Sequence, residues 1–157
     1  MFQIIILLVL IPTIANKLQD TLRNQSPYRT KTYTKSSEET HVIVCGSVVL
    51  DAMETFCKEL FHPDHDNMKG QAVIVQNRDP APETLICLQK YSINATYLAG
   101  SVLDWDKLER GCVHKAEACV LLTNKNSKQA SEQDYRNILQ ALSIKRFVYW
   151  AIKGKRD

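Results

Sequence analysis

From Thr40 onward the sequence predicts an α/β fold, a doubly wound parallel sheet with helices on both faces. Three observations predict it. Short β-branched runs recur, and the first and third are closed by glycine (Gly46 and Gly100). Between them lie segments whose apolar residues fall at helical spacing. The connections are short throughout. Alternation of this kind implies right-handed crossovers and therefore parallel strands.

Taken in order, His41–Gly46 (HVIVCG) reads as a strand buried on both faces, because its apolar run is unbroken. Val48–Phe61 places Val49, Met53, Phe56, Cys57 and Leu60 at helical spacing and stops before Pro63. Gln71–Gln76 is a second strand. Pro82–Tyr91 is a helix with proline in its first turn, where a missing N–H is harmless. Asn94–Ala99 is a third strand, Leu103–Arg110 a short helix and Glu117–Leu122 a fourth strand. Ser131–Ile144 is a fourth helix, and Phe147–Ile152 (FVYWAI) is expected to be a fifth strand before a basic tail, residues 153–157. This is a Rossmann-like arrangement over residues 41–152.

The amino terminus differs. Ile4–Ile11 reads IIILLVLI, too short to cross a bilayer, which takes about 20 apolar residues. Three readings compete: a soluble core strand or helix, for which nothing nearby supplies a partner, and, on an equal footing, a secretory leader ending near Ala15 or the inner end of a truncated membrane helix, residues 1–23. The positive residues that follow (Lys17, Arg23, Arg29, Lys31 and Lys35) form a cytoplasmic-type flank. Asn24–Thr40 is polar and Ser/Thr-rich, with Pro27, and is expected to be a linker with little capacity to pack.

Composition narrows the function. The chain has 157 residues, 45% hydrophobic and 24% charged, which suits one globular core. A formal charge of +3, without a basic stripe interleaved with aromatics, does not point to nucleic acid. Five cysteines (Cys45, Cys57, Cys87, Cys112 and Cys119) form no C-x-x-C pair and sit mostly in apolar runs, as in a reducing compartment.

The chemistry-bearing clusters are few. The first strand-to-helix turn, Cys45-Gly46-Ser47-Val48-Val49-Leu50-Asp51, keeps one glycine of the dinucleotide fingerprint and puts valines where backbone access is needed. A soluble nucleotide-binding domain or oxidoreductase is the alternative reading, and this turn speaks against it. His62, Asp64, His65 and Asp66 invite a transition metal but read more simply as a solvated loop. Cys112 and His114 are read as packing residues rather than a nucleophile pair. The sequon Asn94-Ala95-Thr96 falls on a predicted buried strand. No hydrolase elbow, P-loop or H-E-x-x-H is present, and no enzyme activity is expected. Glu132 and Asp134 follow the fourth strand, where ligands of open sheets gather. Two carboxylates fall short of the six to eight oxygens that calcium takes, and Glu132 also suits a helix first turn.

Read together, several segments resemble the large-conductance calcium-activated potassium channels, the BK or Slo family. They are Ile11-Pro12, Asn24–Tyr28 with Tyr33, HVIVCG, KELFH (Lys58–His62), Gly100-Ser101, Val113–Lys125 and Asn137–Lys145. The resemblance spans about residues 9 to 150, and Val113–Lys125 is its most specific part. It implies that residues 1–23 are the end of a pore-lining helix, that residues 24–157 are cytoplasmic beneath the plasma membrane, and that residues 41–152 are the amino-terminal half of a first regulator of K⁺ conductance (RCK) domain. It further implies a tetrameric homo-oligomeric gating assembly that pulls on the pore through the linker. Asp134 matches a family calcium ligand. A second family carboxylate is Gln129 here, so Ca²⁺ is the cofactor implied, with an incomplete ligand set. No potassium selectivity filter is present, and the resemblance implies a piece of a larger channel.

Overall fold

The computed structural model describes residues 11–12, 14–16, 26–36, 39–64, 70–124 and 127–154. In chain order the elements are α1 (Pro27–Thr30), β1 (His41–Gly46), α2 (Leu50–Leu60), β2 (Gln71–Gln76), α3 (Pro82–Lys90), β3 (Ala95–Ala99), α4 (Trp105–Arg110), a 3₁₀ turn (Val113–Lys115), β4 (Ala118–Leu122) and α5 (Ala130–Lys153). The four strands form one sheet in the order β3-β2-β1-β4, all parallel. His41 stands against Gln71, Val42 against Ala118, and Ala72 against Ala95.

The unbroken apolar character of β1 and β2 follows from burial on both faces. Alternate residues feed two cores. On one face Ile43, Cys45, Val73 and Val75 pack with Leu98, Leu108, Ile144 and Phe147. On the other, Val42, Val44, Ala72 and Ile74 pack with Met53, Cys57, Cys87 and Tyr97. Burial pushes the Cys45 and Cys57 thiols up to about 12. They behave as inert core hydrophobes, and all five cysteines are free.

Two expectations are corrected. The predicted fifth strand, Phe147–Ile152, is the last part of α5, which runs unbroken for 24 residues to Gly154. A short aromatic and β-branched run does not by itself separate strand from buried helix. Here the core decides: Ile144, Phe147 and Val148 continue one helical face onto the sheet. Trp105 then lies against Phe147 and Trp150, centroids 6.0 and 5.3 Å away, a contact that i, i+3 spacing makes and a strand does not.

The second correction concerns the linker. Residues 26–36 are not idle: they are hydrogen-bonded onto the domain, as detailed below. Of the apolar start, residues 1–10 lie outside the described residues, while residues 11–12 and 14–16 are helical. Among the described residues no helix is long and apolar enough to cross a membrane.

Candidate functional site

The docked linker begins at α1. Ser26 caps this turn, its Oγ accepting from the Tyr28 N–H at 3.3 Å. The Tyr28 ring meets the Tyr97 ring edge-on, centroids 5.7 Å apart. Arg29 pairs with Asp79 at 3.2 Å, an exposed contact of little energetic weight. The firmer clamp is Arg110. Its Nε donates to the Lys31 carbonyl at 3.0 Å, and its Nη2 donates to the carbonyls of Lys31 and Tyr28. In return the Arg110 carbonyl accepts from the Tyr33 N–H at 2.9 Å. The backbone of the linker thus has partners on the domain, which a solvated tether would lack.

Tyr33 is the anchor, 5% exposed and packed in the same core as Phe147. Its ring lies 4.8 Å from the ring of fully buried His41. His41 Nε2 donates to the Cys112 carbonyl at 3.2 Å, while its Nδ1 is buried without a partner. Burial holds the imidazole below its ordinary pKa, and neighbouring Lys35 adds to the effect. Cys112 adopts the left-handed conformation, φ 51°, and its thiol points to the Tyr33 carbonyl at 3.3 Å. Tyr33, His41, Arg110 and Cys112 therefore form one latch between linker and sheet. The signal in the sequence was small: two tyrosines five residues apart in an otherwise polar stretch.

A second feature is a crevice of about 520 Å³ at the carboxyl ends of β1, β2 and β3. Gly46, Gln76, Arg78, Gly100, Ser101 and Arg136 are among its lining residues. Its floor is held by a buried bridge. The Tyr97 hydroxyl lies 2.9 Å from Gln76 Oε1 and 2.8 Å from the Arg78 carbonyl, and Gln76 Nε2 donates to the Val48 carbonyl at 3.1 Å. Burial pushes the Tyr97 phenol up to about 12, so it stays protonated as a donor. Gly46 has φ 92°, and a Cβ there would meet the Leu122 carbonyl oxygen at 2.4 Å. The glycine serves β1–β4 contact and the turn, not pyrophosphate access.

The carboxylates singled out in the sequence are not gathered. Asp134 and Glu132 are both exposed on the first turns of α5. Residues two apart on a helix do not share a face. Glu132 is turned to Arg136, Oε1 to Nη2 2.5 Å. Gln129 occupies the N-cap position without a side-chain cap bond. Among the described residues no three His, Cys, Asp or Glu side chains stand close enough to hold a metal. Calcium asks for six to eight oxygens, so these residues alone do not fit it. His62 lies beside Asp64 at 3.3 Å, while His65 and Asp66 lie outside the described residues.

The profile of the calcium-activated potassium channel slowpoke-like RCK domain matches residues 37–155. The chain belongs to this slowpoke-like RCK family. The family is one of channel regulatory domains rather than of enzymes. The chain is similar to the human potassium channel subfamily U member 1, 24% identical over 140 residues, covering 89% of this chain and 12% of that protein. It is also similar to the solved structure of the human SLO3 gating ring, with a TM-score of 0.52 and 24% identity. That match covers 70% of this chain and 18% of the gating-ring chain, and it shows the shared fold. The Slo-type RCK reading and the parallel α/β fold of the sequence analysis stand.

Proposed function

We propose that this RCK domain is a gating module which works with Slo-type channel subunits at the cytoplasmic side of a membrane, relaying domain movement through the linker to a pore helix. What supports the reading is the Arg110–Tyr33 latch, because a linker bonded to the sheet transmits a displacement that a loose one absorbs. Coupling of this kind requires two states that the latch holds to different extents. The test is co-expression of the full chain with the human potassium channel subfamily U member 1, read by co-precipitation and by excised-patch recording. The wild-type chain should co-precipitate and shift the voltage of half-activation. Arg110→Ala, checked for folding by circular dichroism, should co-precipitate equally but shift it several-fold less. Neither co-precipitation nor a shift from the wild-type chain would sink the proposal.

Asp134 enters the same reading as one calcium ligand of a set completed by oxygens from a partner channel chain. Titration calorimetry on the full chain alone should then show no micromolar calcium binding. Binding of that strength, abolished by Asp134→Ala, would prove a complete site within these residues.

A further inference from the structure

The second half of α5 turns aromatic and basic residues to solvent together. Leu142 and Tyr149 stand two turns apart on the side away from Ile144 and Phe147, which lie on the sheet. Lys145 and Arg146, both exposed, fall between them, one to each side of that line. Trp150 follows on the Arg146 side, its ring 5.3 Å from that of Trp105 on α4. Leu142, Tyr149, Trp150 and Trp105 are 57%, 60%, 57% and 37% exposed. Cations lie against the rings: Lys153 Nζ is 5.0 Å from the Tyr149 centroid, and the Arg146 guanidinium is 6.0 Å from that of Trp105. Acid is missing from this stretch. Residues 135–156 carry six Lys or Arg and no Asp or Glu. On α4, Asp106 is already paired with Lys107 at 2.5 Å, and Asp104 caps the helix. Glu132 and Asp134 sit on the first turns of α5, at its far end.

We propose that this face rests on an anionic phospholipid surface, with the second half of α5 lying along the headgroups. Two features choose lipid over an acidic protein partner. Trp and Tyr bury a ring while keeping a polar edge wet, which suits them to the headgroup level. Lys and Arg beside them reach lipid phosphates with their charged tips while their stems cover acyl chain. The outer side of a single helix also offers no groove to grip a peptide, whereas a bilayer needs only a one-sided face. Each cation held near such a surface strengthens the contact about fivefold. The contact presupposes the membrane-side placement proposed above. Vesicles contain no channel subunit, so a failure here and a failure of co-precipitation are told apart.

Trp105 and Trp150 are the two tryptophans of the chain, so a quencher carried by the lipid reads this face and not the apolar start. The full chain is mixed with phosphatidylcholine vesicles bearing brominated acyl chains, with and without phosphatidylserine. With phosphatidylserine the tryptophan emission should move to the blue and be quenched. Lys145→Gln combined with Arg146→Gln should lower the ratio of quenched to unquenched chains about thirtyfold, two charges at about fivefold each. The circular dichroism spectrum should not change, because both side chains are exposed. Lys58→Gln, exposed on α2 across the sheet, should leave the quenching as it is. Emission unaltered by the phosphatidylserine vesicles would overturn the proposal. So would equal quenching without phosphatidylserine, or quenching that survives the double substitution. A blue shift with polyglutamate but none with the vesicles would assign the face to an acidic protein segment instead.

Discussion

Replacing Tyr33 by alanine should destabilise the domain by about 3 kcal/mol, the range for emptying a buried aromatic site. A residue in a tether of no structural weight would give within about 0.5 kcal/mol of zero. The measurement is urea unfolding followed by the fluorescence of Trp105 and Trp150, which lie together at the exposed edge of the same core, beside Phe147. Tyr33→Phe separates packing from polarity. The Tyr33 hydroxyl is buried and has no hydrogen-bond partner, so its removal should be neutral or stabilising by up to about 1 kcal/mol. A loss of stability in the phenylalanine variant, as large as in the alanine one, would show that the hydroxyl is bonded after all. The latch also carries a pH signature through His41. Its folded pKa is depressed by burial, so the unfolded chain takes up a proton near pH 6.5 while the folded chain resists it. Stability is therefore full above pH 6.5 and falls as the pH drops below that value toward the folded pKa. The slope approaches about 1.4 kcal/mol per pH unit inside that window. His41→Gln should abolish this component, and an unchanged slope would assign it to other groups.

Gly46→Ala should be at least as damaging, by about 3 kcal/mol or more. Two effects add. A positive φ of 92° lies where a side chain is strained, typically by 1–3 kcal/mol. The new Cβ would also stand 2.4 Å from the Leu122 carbonyl oxygen, a backbone atom that moves only if β4 moves. That oxygen accepts from the Ser47 N–H at 2.8 Å, so the β1–β4 junction and the turn into α2 would loosen together. Hydrogen exchange should show early loss of protection at Ser47 and in β4, with β2–β3 pairing less affected. Gly111→Ala is the control, since a Cβ there would make only ordinary contacts at 3.5 Å. Equal effects at the two glycines would remove the geometric explanation.

Much of the fold was legible because local and global preferences agree. In β1 every residue from His41 to Cys45 is buried, and an unbroken β-branched run says as much. The start of α3 was readable from Pro82, and the end of α2 from Phe61 and Pro63. The strand reading of Phe147–Ile152 failed because aromatic and β-branched residues carry weak propensity either way. What settled it is Trp105, forty-two residues earlier, whose ring needs partners at helical spacing. The linker was misread for a similar reason. Ser, Thr and Lys dominate its composition, yet its docking rests on backbone carbonyls, which composition does not show.

By itself the sequence determined the parallel α/β class, the absence of a dinucleotide fingerprint and the kinship with Slo-type RCK domains. These are properties of short segments: an apolar run, a glycine where β1 turns, a string of matching residues. Only the tertiary structure decided that Tyr33 and Arg110 latch the linker to the sheet. It alone turned the last apolar run into helix. Each of those outcomes depends on groups distant in sequence arriving at hydrogen-bond or van der Waals distance. Such proximity is set by how the sheet stacks its helices, and no local pattern encodes it.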